Sequence, residues 1–209
     1  MRTHILGFPS IGKQRELKEA LESFWQGGLS AESLYETCAA LKKRHWRIQK
    51  EAGLDFVSTG DFSLYDRMLD ITCMLGAVPP RFAPCRGDTR LDRYFNLARG
   101  DVKRNIAALE MTKWFDTNYH YIVPEFTKDQ SFKILVNKPL QEYNLAKKHG
   151  FDTKPVLIGL VTYLLLGKEK EQGFNRLDLA DRLLPVYLQL VESLVNAGAK
   201  TIQIDDPLW

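Results

Sequence analysis

Two hydrophobic periods alternate along the chain. Leu17, Ala20, Leu21, Phe24 and Trp25 fall at i, i+3, i+4, i+7 and i+8, which predicts a helix from about residue 13 that Gly27 and Gly28 end. Ser30 is placed to cap a second helix, with Leu34, Cys38, Leu41, Ile48 and Ala52 on its apolar stripe and Gly53 just past its end. His45 lies close to that stripe and reads as a partly buried structural histidine. Ser63 and Asp66, three apart, read as a capping box opening a third helix that runs to Leu75. Residues 91–97 and 139–149 read as shorter helices. A long one covers 175–197, its stripe made of Leu177, Ala180, Leu183, Leu184, Tyr187, Leu188, Val191, Leu194 and Val195, with Pro185 marking a kink or restart.

Between these helices lie short runs rich in β-formers: 4–8, 54–59, 119–123, 155–161 and 201–204, with an extra strand over 132–136. The apolar run at 155–161 has the character of a strand buried on both faces. Strands alternating with helices predict an α/β fold with a parallel sheet. No internal repeat or low-complexity linker divides the chain, so residues 1–209 read as one domain.

Composition narrows the class. With 44% hydrophobic and 26% charged residues, the chain suits a globular domain with a sizeable core. The net charge of +3 is mild and the basic residues are interleaved with acids, so neither nucleic acid nor a membrane surface is indicated. No apolar run is long enough for a transmembrane helix, and residues 1–7 are too short for a signal peptide. Cys38, Cys73 and Cys85 are odd in number and scattered, which suits a reducing cytoplasm better than a disulfide framework.

The most informative stretch is 110–126. It packs Trp114, Phe115, Tyr119, Tyr121 and Phe126 among Lys113, Asp116, Thr117, Asn118 and His120. Rings interleaved with donors and acceptors suit the wall of a ligand cleft. An irregular core strand with partly buried Tyr and His tips is the other reading.

This stretch closely resembles a motif in the N-terminal half of cobalamin-independent methionine synthase. Further segments match that family in the same order: Leu6-Gly7-Phe8-Pro9, Arg15-Glu16-Leu17-Lys18, Gly60-Asp61-Phe62-Ser63-Leu64-Tyr65-Asp66, Leu75-Gly76-Ala77-Val78-Pro79, Ala98-Arg99-Gly100, Lys154-Pro155-Val156-Leu157 and Gln203-Ile204-Asp205. The resemblance runs from end to end. It implies a (βα)8 TIM-barrel-like N-terminal domain, present here as a partial barrel, since a full barrel takes roughly 250 residues. It also implies a methyltransferase that moves a methyl group from 5-methyltetrahydrofolate polyglutamate to homocysteine in methionine biosynthesis in the cytoplasm.

In that family the positions matching Arg15, Glu16, Leu17, Lys18 and Lys113 contact the polyglutamyl folate, and Asn118 matches a further contact. The chemistry is reasonable, because a glutamate tail is a string of carboxylates and Arg and Lys bind carboxylates. Read without the family, Arg15 and Lys18 are a solvated helix face. The resemblance places a zinc ion, held by His, Cys and Glu, in a C-terminal catalytic domain. The present chain has no Cys-x-x-Cys or His-Glu-x-x-His spacing and no nucleophile–base pair, so no catalytic or metal-binding residue is assigned.

Three positions depart from the pattern. Ser10 replaces an Arg, Leu160 a Pro and Asp206 a Glu. The loss of an Arg beside the tail site bears on folate affinity. Because the zinc-binding C-terminal domain is absent, the chain is expected to be inactive alone with that domain as its partner, and because a partial barrel has open sheet edges, to self-associate, bind the missing part or be only marginally stable. The other readings are a non-catalytic module binding folate polyglutamates or a partner, and an inert truncated fragment.

Overall fold

A computed structural model describes residues 2–84 and 89–208. The chain divides into two units: residues 1–64, 138–157 and 193–203 form the first, and 65–137, 158–192 and 204–209 the second.

In the first unit, α1 (Glu16–Trp25) and α2 (Ala31–Glu51) are the two helices the periodicity predicts. Ser30 Oγ accepts the Ser33 N–H at 3.1 Å, satisfying a donor that the first turn leaves open. α2 buries Leu34, Cys38, Leu41 and His45 as expected, but toward its C-terminal end the buried face turns to Trp46 and Gln49. Trp46 Nε1 donates to Ser58 O at 3.0 Å, and Gln49 Oε1 accepts from Ser58 N at 2.8 Å. Ile48 is left 44% exposed, so it does not belong to the stripe. His45 is buried beside the Phe8 ring, and burial lowers its pKa, in keeping with a structural histidine.

β1 (Val57–Thr59) pairs in parallel with β5 (Thr153–Ile158), Val57 opposite Thr153 and Thr59 opposite Pro155. Gly60 follows β1 at φ 83°, and a Cβ there would stand 2.8 Å from Val156 O, so this turn requires glycine. α5 (Lys138–Lys148) packs beside β1, where Trp46, Val57 and Ala146 make a small core.

The strand expected over 4–8 does not form. Side chains distant in sequence satisfy its polar groups instead: Lys154 Nζ donates to Ile5 O at 2.8 Å, Gln203 Nε2 to Leu6 O at 2.8 Å, and Asp61 Oδ2 accepts from Phe8 N at 2.7 Å.

The second unit opens with α3 (Arg67–Met74). Its cap corrects the expected Ser63–Asp66 box. Asp66 is itself the N-cap, accepting from Met68 N at 2.7 Å and Leu69 N at 3.1 Å, whereas Ser63 Oγ is buried without a partner. Complete capping boxes occur instead between Thr89 and Asp92, opening α4 (Arg90–Arg99), and between Asn175 and Asp178.

β2 (Met111–Lys113) and β3 (His120–Ile122) are antiparallel, Met111 opposite Ile122 and Lys113 opposite His120. The strand expected at 119–123 is therefore present but not parallel. Only six residues separate β2 from β3, far too few for the crossover that parallel pairing needs. β4 (Glu125–Phe126) pairs in parallel with β6 (Lys168–Glu169). Residues 132–136 form no strand: the Lys133 and Leu135 amides close the end of α3, donating to Leu75 O and Met74 O.

β5 ends at Ile158, earlier than expected, because Leu160 already begins α6 (Leu160–Leu165). The helix predicted over 175–197 is a 3-10 turn at Arg176–Leu179 followed by α7 (Ala180–Asn196), with Pro185 inside it. α7 buries Leu183, Tyr187, Leu190 and Leu194. Leu184 and Leu188, assigned to the same stripe, are each 52% exposed. Phe126, Tyr163, Leu164 and Leu183 are central to the unit's core.

β7 (Gln203–Asp205) completes a three-stranded sheet in the order β1-β5-β7. The fold is mixed α/β, and among the described residues its sheets are small and unclosed.

Candidate functional site

The candidate residues fall in both units, and each group has its own local construction. In the first unit Arg15 stands immediately before α1 at φ 63°, ψ 29°, the left-handed region that costs a non-glycine residue about 1–2 kcal/mol. The turn that holds it is cross-braced. Arg15 N donates to Gly12 O at 3.2 Å and Leu17 N to Ile11 O at 3.2 Å. Glu16 Oε2 accepts from Gln14 N at 3.0 Å, and Glu16 Oε1 accepts from Arg44 Nη2 at 2.6 Å.

Glu16's own backbone N–H and then the Arg44 guanidinium hold its carboxyl below the usual carboxylate range. Arg15 is exposed and has no ion-pair partner among the described residues. Lys18 is exposed too and meets Glu22 one turn on, at 3.7 Å. Leu17 is 4% exposed, so its side chain packs the core. The Arg15-Glu16-Leu17-Lys18 run thus separates into two displayed cations, a brace and an anchor.

In the second unit Lys113 ends β2 and Asn118 lies in the loop back to β3, both exposed. The loop is tightly bonded. Trp114 N donates to Tyr119 O at 2.7 Å, while Thr117 N (3.2 Å) and Thr117 Oγ1 (2.6 Å) both donate to Trp114 O. Phe115 takes φ 51°, a second left-handed non-glycine residue.

The five rings of 110–126 serve different ends. Tyr121 and Phe126 are core; Phe115 and Tyr119 are 38% and 48% exposed. Trp114 joins the two groups, meeting Phe115 and Tyr121 edge-on at 5.2 Å and 5.8 Å. The core-strand reading of this stretch thus holds for Tyr121 and Phe126.

Three polar centres escape the motif reading. Asp66 also accepts from Ile122 N at 3.1 Å, tying α3 to β3, and burial pushes its carboxyl up to about 7 against those backbone donors. Glu125 is buried between Arg81 and Lys170. Asp206 accepts from Thr162 N at 2.7 Å and from Thr162 Oγ1, capping α6 from outside that helix. The Asp before Pro207 was the only signal of the last.

The two remaining departures are also quiet. Ser10 Oγ accepts from Ser63 N at 3.1 Å, and Leu160 is the first residue of α6, where proline and leucine are both accommodated. Among the described residues no three His, Cys, Asp or Glu side chains gather to hold a metal ion. Burial pushes the Cys38 thiol up to about 11 and the Cys73 thiol up as well; Cys85 lies outside the described residues. Among the described residues no helix is long and apolar enough to cross a membrane.

The fold is mixed α/β, with exposed cations at a left-handed turn in the first unit and on a hairpin in the second. The chain belongs to the family described as "Cobalamin-independent synthase, N-terminal domain", which matches residues 2–209.

It is 51% identical over 99% of its length to the 5-methyltetrahydropteroyltriglutamate–homocysteine methyltransferase of Flavobacterium johnsoniae, and 50% identical, again over 99%, to that of Cytophaga hutchinsonii. It spans 27% and 28% of those two relatives. The fold is similar to that of the putative vitamin-B12 independent methionine synthase of Listeria monocytogenes, with a TM-score of 0.58 at 16% identity, over all of this chain and 54% of that one.

Proposed function

We propose that this chain is the N-terminal, folate-binding portion of a cobalamin-independent methionine synthase, contributing part of a (βα)8 barrel in the cytoplasm. The observation that carries the reading is the end-to-end family match to relatives named for a triglutamate substrate. Arg15 and Lys18 would bind tail carboxylates, Lys113 would add a third cation, and Asn118 a neutral hydrogen bond. Glu16 and Leu17 would shape the turn rather than touch the ligand. The left-handed Arg15 supports this, since strain tends to persist where surrounding structure enforces it for a purpose.

Methyl transfer from 5-methyltetrahydropteroyltri-L-glutamate to homocysteine would belong to the longer protein, with a C-terminal domain as partner. When bound there, zinc would supply a thiolate from homocysteine. The described residues bring together no cluster of three His, Cys, Asp or Glu side chains that would hold that ion. The isolated chain should bind ligand without making methionine.

Titration with 5-methyltetrahydrofolate carrying three glutamates or one tests the reading. The triglutamate should bind more tightly, and salt should weaken it. Lys18→Ala and Lys113→Ala should each cost about 1–3 kcal/mol, the range for hydrogen bonds to charged groups. Equal affinity for both tail lengths would refute the site.

A further inference from the structure

Arg44 belongs to no motif and carries no assigned role, yet it donates to Glu16 at the base of the Arg15 turn. Glu16 is the one carboxylate the turn is built on. One oxygen takes the Arg44 guanidinium and the other takes the Gln14 N–H. A Cβ on Gly12, which itself sits at φ 84°, would lie 2.2 Å from Glu16 Oε2 and 3.0 Å from Leu41 on α2. Gly12, Gln14 and Glu16 are thus folded against α2, and Arg15 is pushed outward in its left-handed conformation.

An unheld Glu16 would be a mobile anion beside Arg15, which precedes it in the left-handed turn and could close an ion pair with it. Lys18, two residues on along α1, faces elsewhere and meets Glu22 instead. Pairing with Arg15 would neutralise a charge displayed for an anionic ligand.

We propose that Arg44 is a positioning residue for the tail-binding turn: by sequestering the Glu16 carboxylate on α2 it keeps the left-handed Arg15 available to the carboxylates of a polyglutamate chain. The inference rests on the folate-polyglutamate reading above and adds a residue to it. Arg44 touches no ligand and acts through Glu16 alone.

The test uses the 209-residue chain, with 5-methyltetrahydrofolate bearing three glutamates or one as probe. Arg44→Met, which keeps the stem and removes the charge, should reduce the preference for the longer tail about two- to fivefold, the scale of a partly exposed ion pair. Arg44→Lys should restore most of it. Glu16→Gln combined with Arg44→Met should bind better than Arg44→Met alone, because the competing anion is gone. A structural role for Arg44 would predict the reverse, with the double variant no better than the single.

Amide exchange provides a ligand-free arm: the Gln14 N–H should exchange faster in Arg44→Met while amides in the core of α2 do not. A wild-type chain without tail-length preference overturns the folate reading and this inference with it. A wild type with the preference, retained in full by Arg44→Met, or unchanged Gln14 exchange, overturns this inference alone.

Discussion

Arg81 grips Glu125 through both carboxylate oxygens, Nη1 to Oε2 at 2.5 Å and Nη2 to Oε1 at 2.9 Å. Lys170 Nζ approaches Oε1 at 3.1 Å, and the Arg81 guanidinium also lies 4.9 Å over the Phe82 ring. Glu125 is 7% exposed, so its charge depends on these two cations.

That arrangement fixes the sign of a pH effect. Burial alone would raise the Glu125 carboxyl, but the Arg81 fork and Lys170 overcome it and hold it below the ordinary carboxylate range. A depressed folded-state pKa contributes stability above the unfolded value, about 4.3 for glutamate, and loses it as pH falls through the folded value. Arg81 is partly exposed, so solvent screens the pair. Arg81→Met should destabilise the chain by about 1–2 kcal/mol near neutral pH. Urea titrations should show the gap to wild type closing as the pH falls below the ordinary glutamate range. A gap independent of pH would show that the loss is packing against Phe82.

Gly159 is required by close approach rather than by backbone angle, its φ being an ordinary −68°. A Cβ there would lie 2.2 Å from Asp206 Cγ and 2.5 Å from Asp206 Cβ, displacing the carboxylate that caps α6. Gly159→Ala should cost about 1–3 kcal/mol, as overpacking does. Asp206→Gly removes all three crowding atoms, so in thermal melts the double variant should lose less than the two singles added together. Strict additivity would mean that the backbone, not Asp206, absorbs the clash.

What could be read in advance follows a physical division. Helix positions and ends are local properties, so Ser30, Gly53 and the stripe of Leu34, Cys38 and Leu41 were readable from spacing alone. The run at 155–158 declared itself by being apolar throughout, and all of β5 is buried. Residues 4–8 carry the same local signal, but their polar groups are met by Lys154 and Gln203, some 150 and 197 positions away. No window of sequence contains that information.

The candidate site divides likewise. The cations Arg15, Lys18 and Lys113 were found through the family's motifs. The αL turn that displays Arg15, and the Arg44 bond beneath it, appear only once α1 and α2 lie together.

The second unit leaves apolar side chains uncovered. Leu184 and Leu188 lie one turn apart on α7, and Ile204 on β7 is 53% exposed. β7 also ends the three-stranded sheet, so one of its edges has no partner strand among the described residues. Isolated chain should therefore gain mass with concentration in light scattering. Leu188→Glu should shift it toward the monomer. A single monomeric mass over the whole range, with unaltered melting, would count against an uncovered interaction face.

Arg15 sets stability against binding at one residue. Its left-handed conformation costs about 1–2 kcal/mol that glycine would not incur, though glycine returns part of this through the greater freedom of the unfolded chain. Arg15→Gly should accordingly melt no lower than wild type, and higher if relief of strain prevails. Its preference for the triglutamate over the monoglutamate should nevertheless fall, since the displayed guanidinium is gone. Arg15→Ala separates the two effects, because it loses the same charge but keeps the strained conformation. Both variants should bind alike while Arg15→Gly melts higher. Equal melting temperatures for the two would show that the turn relaxes when the arginine is removed. Undiminished tail preference in both would remove Arg15 from the site and leave Lys18 and Lys113 to account for the binding.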